Sequence, residues 1–126
     1  MTMTPMRSAC TLLALLCLAP AAAAGEADVL DVTVGTEGDR RYRFTVTVRH
    51  ADEGWDHYAD RWEIRGPESE VLGVRELLHP HVDEQPFTRS LGGVEIPAGV
   101  NEVQVRARDS VHGYGGAEVT VALPGD

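Results

Sequence analysis

The chain contains no lysine, and its two cysteines (Cys10, Cys17) and three methionines (Met1, Met3, Met6) all precede residue 25. Without lysine there is no amine for Schiff-base chemistry. Past residue 25 there is also no thiolate nucleophile, no disulfide staple and no soft sulfur ligand for cuprous copper. Positive charge is scarce, with eleven arginines against twenty acidic residues. Arg7 lies in the leader described next, so the remainder carries ten arginines and all twenty acids, a charge of −10. Nucleic acid and anionic membrane surfaces repel such a chain, and neither is an expected partner.

Long apolar runs are missing with one exception, Ala9 to Leu18 (ACTLLALLCL), preceded by Arg7 and followed by Pro20 and the small residues Ala21 to Ala24. That order is the pattern of a secretory signal peptide, and the run is shorter than the roughly 20 residues a membrane span needs. Cleavage is expected after Ala24, releasing a periplasmic or secreted protein. Lipidation of Cys17 is the competing reading, and it is disfavoured by Leu16, where lipoproteins carry a small residue. Residues 25–126 are long enough for one domain that buries about two-thirds of its unfolded surface.

Helical periodicity is absent as well, and strand-period alternation takes its place. Leu30, Val32 and Val34 fall on one face, and the turn Gly35 to Asp39 follows. Arg41 to Arg49 alternates without a fault, Tyr42, Phe44, Val46 and Val48 against arginines and threonines. Further strands are expected around Trp62 and Ile64, over Val71 to Leu78, and over Phe87 to Val94, where Gly92 and Gly93 mark a bulge. Val103, Val105 and Ala107 form the sixth, a glycine-rich loop covers Asp109 to Ala117, and Val119, Val121 and Leu123 close the chain. About seven short strands with regular turns predict an all-β fold, an antiparallel immunoglobulin-like β-sandwich with Trp62 central in its core.

In that topology the connections after the second, fourth and sixth strands share one pole. They hold all five histidines: His50 and His57, His79 and His81, and His112. The richest stretch is Leu77 to Phe87 (LLHPHVDEQPF). Pro80 keeps His79 out of the helical region, and residues i and i+2 of an extended segment project to the same side. Neutral imidazole is the commonest ligand for zinc, cupric copper and iron, and carboxylates add hard oxygen. The candidate metal ligands are therefore His79, His81, His112, His57, His50 and Asp109, within a fringe of acids that includes Asp52, Glu53, Asp56, Asp83 and Glu84. The bland alternative is that each histidine hydrogen-bonds its own loop, and that Trp55, Tyr58 and Tyr114 close the end of the sandwich. Ser110, His112 and Asp109 are triad residue types, but they are crowded together and no strand-to-helix nucleophile elbow is present. The glycines of HGYGG do not follow a phosphate-loop pattern. Binding is thus expected rather than catalysis.

Two family resemblances attach to these residues. Leu78 to Phe87 (LHPHVDEQPF) resembles a segment of the Z subunit of the thiosulfate-oxidising sulfur-carrier complex, an immunoglobulin-like periplasmic protein. The resemblance implies a non-catalytic module that holds a periplasmic partner protein. His50, then His57 with Tyr58 and Trp62, then Val111, His112 and Gly113 are similar to the iron-site pattern of superoxide reductases, also immunoglobulin-like. That likeness implies a metal pole. Asp109 stands where the family's iron-binding cysteine would be, so superoxide reduction itself is not implied. Two functions follow as expectations: an exported domain that binds a divalent transition metal through a histidine pole, or an interaction module of a sulfur-oxidation-like complex.

Overall fold

The computed structural model describes residues 25–125; the leader, with Cys17 and the expected cleavage site, lies outside the described residues. Eight strands follow in order: β1 (Asp28–Gly38), β2 (Arg41–Arg49), β3 (Ala59–Arg65), β4 (Val71–Glu76), β5 (Phe87–Glu95), β6 (Glu102–Asp109), β7 (Gly113–Tyr114) and β8 (Val119–Ala122). One antiparallel sheet runs β1-β2-β5. The other runs β4-β3-β6, with both β7 and β8 paired to β6. The two sheets form the expected β-sandwich, and no helix among the described residues is long and apolar enough to cross a membrane.

The alternation of β2 sets one wall of the core: Tyr42, Phe44, Val46 and Val48 are buried, while the odd-numbered residues between them face outward or lie at the margin. Trp62 and Ile64 of β3 and Val103, Val105 and Ala107 of β6 form the facing wall. As expected, Trp62 is wholly enclosed, at 0% exposure.

The first strand departs from its expected face. Val29, not Leu30, packs inward; Val29 is 2% exposed and Leu30 40%. The cause is a register shift between Val29 and Asp31, which pairs Val29 with Val48 and Asp31 with Thr47. One unmatched residue resets the period-two pattern, and apolar spacing does not reveal where that happens. The glycine pair of β5 does mark an irregularity: the register shifts between Tyr42 and Phe44 opposite Val94 and Leu91, with Gly93 at a φ of 66°.

The stretch expected as a glycine-rich loop after β6 contains the short strand β7, where Gly113 pairs with Asp109 and Tyr114 with Arg108. A tight reversal through Ser110, Val111 and His112 therefore folds His112 back toward Asp109. The β2–β3, β4–β5 and β6–β7 connections meet at this end. Ser110 N donates to Tyr58 O at 2.9 Å, Leu77 N to Asp60 O at 2.9 Å and His50 N to Gln85 Oε1 at 3.0 Å.

The core assignment predicts that Trp62→Ala lowers unfolding free energy by about 3–5 kcal/mol. Leu30→Ala, on the outward side of the β1 bulge, changes it by less than about 0.5 kcal/mol. Urea denaturation of both variants checks the pair, and the reverse order would place Leu30 in the core.

Candidate metal centre

His50 and Asp109 each continue the inward alternation of a core strand by one step. On β2 the inward residues are 42, 44, 46 and 48, and His50 follows in phase; on β6 they are 103, 105 and 107, and Asp109 follows. Both are buried, at 3% and 0% exposure. Two polar groups thus stand where apolar side chains would finish the core. Burial of such groups is tolerated only when each is hydrogen-bonded and charge is paired.

Asp109 is bonded through both oxygens. Oδ1 accepts the backbone N–H groups of Val111 (3.2 Å), Gly113 (3.1 Å) and His112, which shapes the turn after β6. Oδ2 faces three imidazoles: His112 Nδ1 at 2.7 Å, His57 Nε2 at 2.8 Å and His50 Nε2 at 3.2 Å. His57 reaches it from a compact loop in which Glu53 N donates to His57 O and His57 N to Gly54 O. The rings are in contact, with centroids 4.8 Å apart for His50 and His57 and 4.9 Å apart for His57 and His112.

Behind His50 stands Asp52, whose side chain is fully buried. Its Oδ1 meets His50 Nδ1 at 2.6 Å and accepts Ala59 N at 3.0 Å, while Oδ2 accepts His81 N at 2.7 Å. Asp52 therefore joins all of the β2–β3 loop, the start of β3 and the β4–β5 loop. It also fixes the ring of His50 so that Nε2 points at Asp109 and the carbonyl of Gly25, 2.8 Å away.

The protonation states follow from these partners. Both nitrogens of His50 face only acceptors, so in this arrangement the ring carries two protons. Burial pulls its pKa down, but the hydrogen bond and charge of Asp52, the Gly25 carbonyl and the charge of Asp109 outweigh that and leave it raised. For His112 the hydrogen bond it donates to Asp109 dominates and raises the pKa. Burial works against the ionised form of both carboxylates. Hydrogen bonds from His112 and His57 overcome it at Asp109, and those from His50, His81 N and Ala59 N overcome it at Asp52, so both pKa values are lowered. Two buried anions are thus balanced by protons on the imidazoles that surround them.

A dication fits the same balance. His50, His57 and Asp109 each offer one ligand atom, all within 4.8 Å of one another, and His112 Nδ1 adds a donor on the same oxygen. Tetrahedral coordination at about 2.0–2.1 Å separates neighbouring ligand atoms by roughly 3.3 Å. The nitrogens lie 2.7 to 3.2 Å from Oδ2, close to that separation. His112 is the solvent-facing member, its side chain 38% exposed.

Of the six residues expected as ligands, the structure brings His50, His57, His112 and Asp109 together. The rings of His79 and His81 form a separate pair, with centroids 4.6 Å apart. His81 lies flat on Phe87, 4.0 Å between centroids, and Arg89 Nη2 approaches its Nε2 at 2.9 Å. His79 is exposed, its Nδ1 3.1 Å from Pro80 O. Among the described hydrogen bonds none joins either ring to Asp109; their loop meets the centre through the backbone of His81. Ser110 Oγ accepts Tyr58 N at 3.1 Å, and among the described residues it has no bond to His112, so a Ser-His-Asp relay is not assembled. Trp55 is 67% exposed and touches Tyr58 edge-on, and the Tyr114 hydroxyl donates to Glu63. Neither covers the centre. Asp52, counted from the sequence only as part of an acidic fringe, is the residue that orients His50. The available signal was its i+2 spacing from a histidine in phase with the core.

No family model matches the chain, and no solved structure matches it. Among curated proteins, one from Halomicrobium mukohataei described as a "Putative lipoprotein" is 47% identical over 96 residues, covering 76% of this chain and 47% of that protein. The chain spans about half the length of the curated relative it matches.

The sign of the pH dependence follows from the shifts. His50 and His112 contribute stability that is full below their ordinary value of 6.5 and is lost as pH rises through their raised values. Asp52 and Asp109 contribute stability present above 3.8 and lost as pH falls through their lowered values. With a chelator present, unfolding free energy is expected to be greatest between about pH 4 and 6.5 and to fall on both sides. A curve rising steadily from pH 6.5 to 9 would contradict the network.

Proposed function

We propose that this is an exported β-sandwich domain that binds a divalent transition metal through His50, His57, His112 and Asp109. The observation that carries the reading is the convergence of three imidazole nitrogens on one buried carboxylate oxygen, Asp109 Oδ2. The donor set contains nitrogen and oxygen and no sulfur, which suits zinc, cupric copper or ferrous iron. Asp52 plays the part of the outer carboxylate that commonly holds a metal-ligating imidazole by its second nitrogen. The likeness to superoxide reductases supports a metal pole at these positions, with a carboxylate in place of the thiolate.

Export rests on the leader pattern and on the description of the Halomicrobium protein as a "Putative lipoprotein". The leader reading predicts that the processed protein begins at Gly25 and is unacylated; intact mass spectrometry of material from an exporting host checks it. An acylated chain beginning at Cys17 would establish a lipid anchor instead.

A second reading, the interaction module, is favoured by four apolar side chains on the pole loops: Trp55, Leu78, Val82 and Val111 are 67%, 76%, 55% and 58% exposed. Its occupant would be a periplasmic protein, as the Z-subunit resemblance implies. The two readings separate on metal content.

Protein purified without chelator and analysed for zinc, copper, iron and nickel is expected to carry close to one ion per chain. Adding the preferred ion at about 100 times its Kd to stripped protein stabilises the fold by about 2.7 kcal/mol. His57→Gln with His112→Gln is expected to weaken binding at least about 100-fold while the fold persists. No metal uptake and no stabilisation by any of the four ions would sink the metal reading.

A further inference from the structure

Beside the metal centre, Arg75, Leu77, Leu78, His79, His81 and Arg89 line a small cavity of about 90 Å³. Two guanidinium groups and two imidazoles thus gather at one point of a strongly acidic domain. The His81 side chain is only 4% exposed. Its Nε2 receives Arg89 Nη2 at 2.9 Å, which places the ring proton on Nδ1, and Nδ1 is buried without a hydrogen-bond partner. The ring is held in that orientation, stacked on Phe87 with an interplanar angle of 8°. That fixed ring forms part of the cavity lining together with Arg75 and Arg89.

A cation does not suit a cavity whose lining includes two arginines and whose buried imidazole already has its Nε2 lone pair taken by Arg89. An anion does. Glu84 Oε1, from the exposed rim, reaches Arg89 Nη2 at 3.0 Å, so the cluster already accepts one carboxylate. Arg75 is positioned by bonds from Nε to Ser90 O and from Nη1 to Glu76 O, and its Nη2 makes none of the described hydrogen bonds. Arg89 is braced by Nη1 on Thr88 O. Pre-oriented guanidinium forks of this kind bind oxyanions through charge-assisted pairs.

We propose that this cavity is a binding site for a small oxyanion, held by the guanidinium groups of Arg75 and Arg89 beside the fixed ring of His81. The oxyanion is either the carboxylate of an organic molecule or a free tetrahedral ion such as sulfate or phosphate; the recognition chemistry is the same. The site is separate from the metal centre, which it meets through the bond from His81 N to Asp52 and through Gln85, which accepts His50 N and donates to His81 O.

The test is an NMR titration of isotope-labelled protein with acetate, sulfate and phosphate, each at ionic strength held constant with chloride. Saturable shifts are expected in the millimolar range, confined to Arg75, Arg89, His79, His81 and their neighbours. Arg75→Gln with Arg89→Gln weakens them at least about ten-fold, and His57→Gln, which removes a metal donor, leaves them unchanged. Preference for acetate identifies a carboxylate-bearing ligand and preference for sulfate or phosphate an inorganic one; either supports the site. Perturbations no larger than those from chloride, shifts that map elsewhere, or equal saturation in the double variant would overturn it. The wild-type map decides the matter by itself if the double variant does not fold.

Discussion

A carboxylate enclosed at the end of a core strand has to be answered by its surroundings, and at Asp109 that demand organises one pole of the sandwich. Its Oδ1 gathers the backbone of the turn after β6, and its Oδ2 gathers imidazoles from the ends of β2, β6 and the loop between β2 and β3. Removing either set would leave several buried donors without acceptors, each costly in a medium where water cannot replace the lost partner. Asp52 repeats the arrangement on a smaller scale and carries it to the β4–β5 loop. Loops that ordinary sandwiches leave independent are here fastened to two anions.

The same two anions explain why the pole suits a dication. Buried negative charge is tolerated when balanced, and protons on histidine are one way to balance it. A metal ion is another, and it uses the nitrogen lone pairs that those protons occupy. In the proposed site proton and metal would compete, and the competition would tilt toward the metal as pH rises. The cluster around Arg75 and Arg89 carries the opposite sign within the same acidic domain. Short-range hydrogen bonding, and not net charge, would decide what each proposed site accepts.

Much of the fold was legible because β2 and β6 alternate without interruption, and Tyr42, Phe44 and Val105 are buried where that alternation puts them. The shared pole followed from strand order alone. Leu30 was misplaced because a bulge resets the pattern without altering composition. In the candidate centre, His50, His57, His112 and Asp109 were legible as residue types on converging loops. The separation of His79 and His81 from them was not, because i+2 spacing says that two side chains share a face and not which neighbour that face meets. Arg89, ten residues beyond His79 on the next strand, decides the character of that pair, and its approach depends on the pairing of β5. The phase of His50 and Asp109 with the core strands was present in the sequence and is the feature that separates them from ordinary loop residues.

The claim at the centre of this account is that a metal ion replaces protons held between Asp109 and three imidazoles. Calorimetric titration with zinc at pH 6, repeated in buffers of different ionisation enthalpy, counts the protons released per ion bound. At least one proton per ion is predicted, since His50 carries two protons in the hydrogen-bonded network and Nε2 must give one up to become a ligand. Tight binding with no proton release would contradict the account and place the ion elsewhere on the molecule.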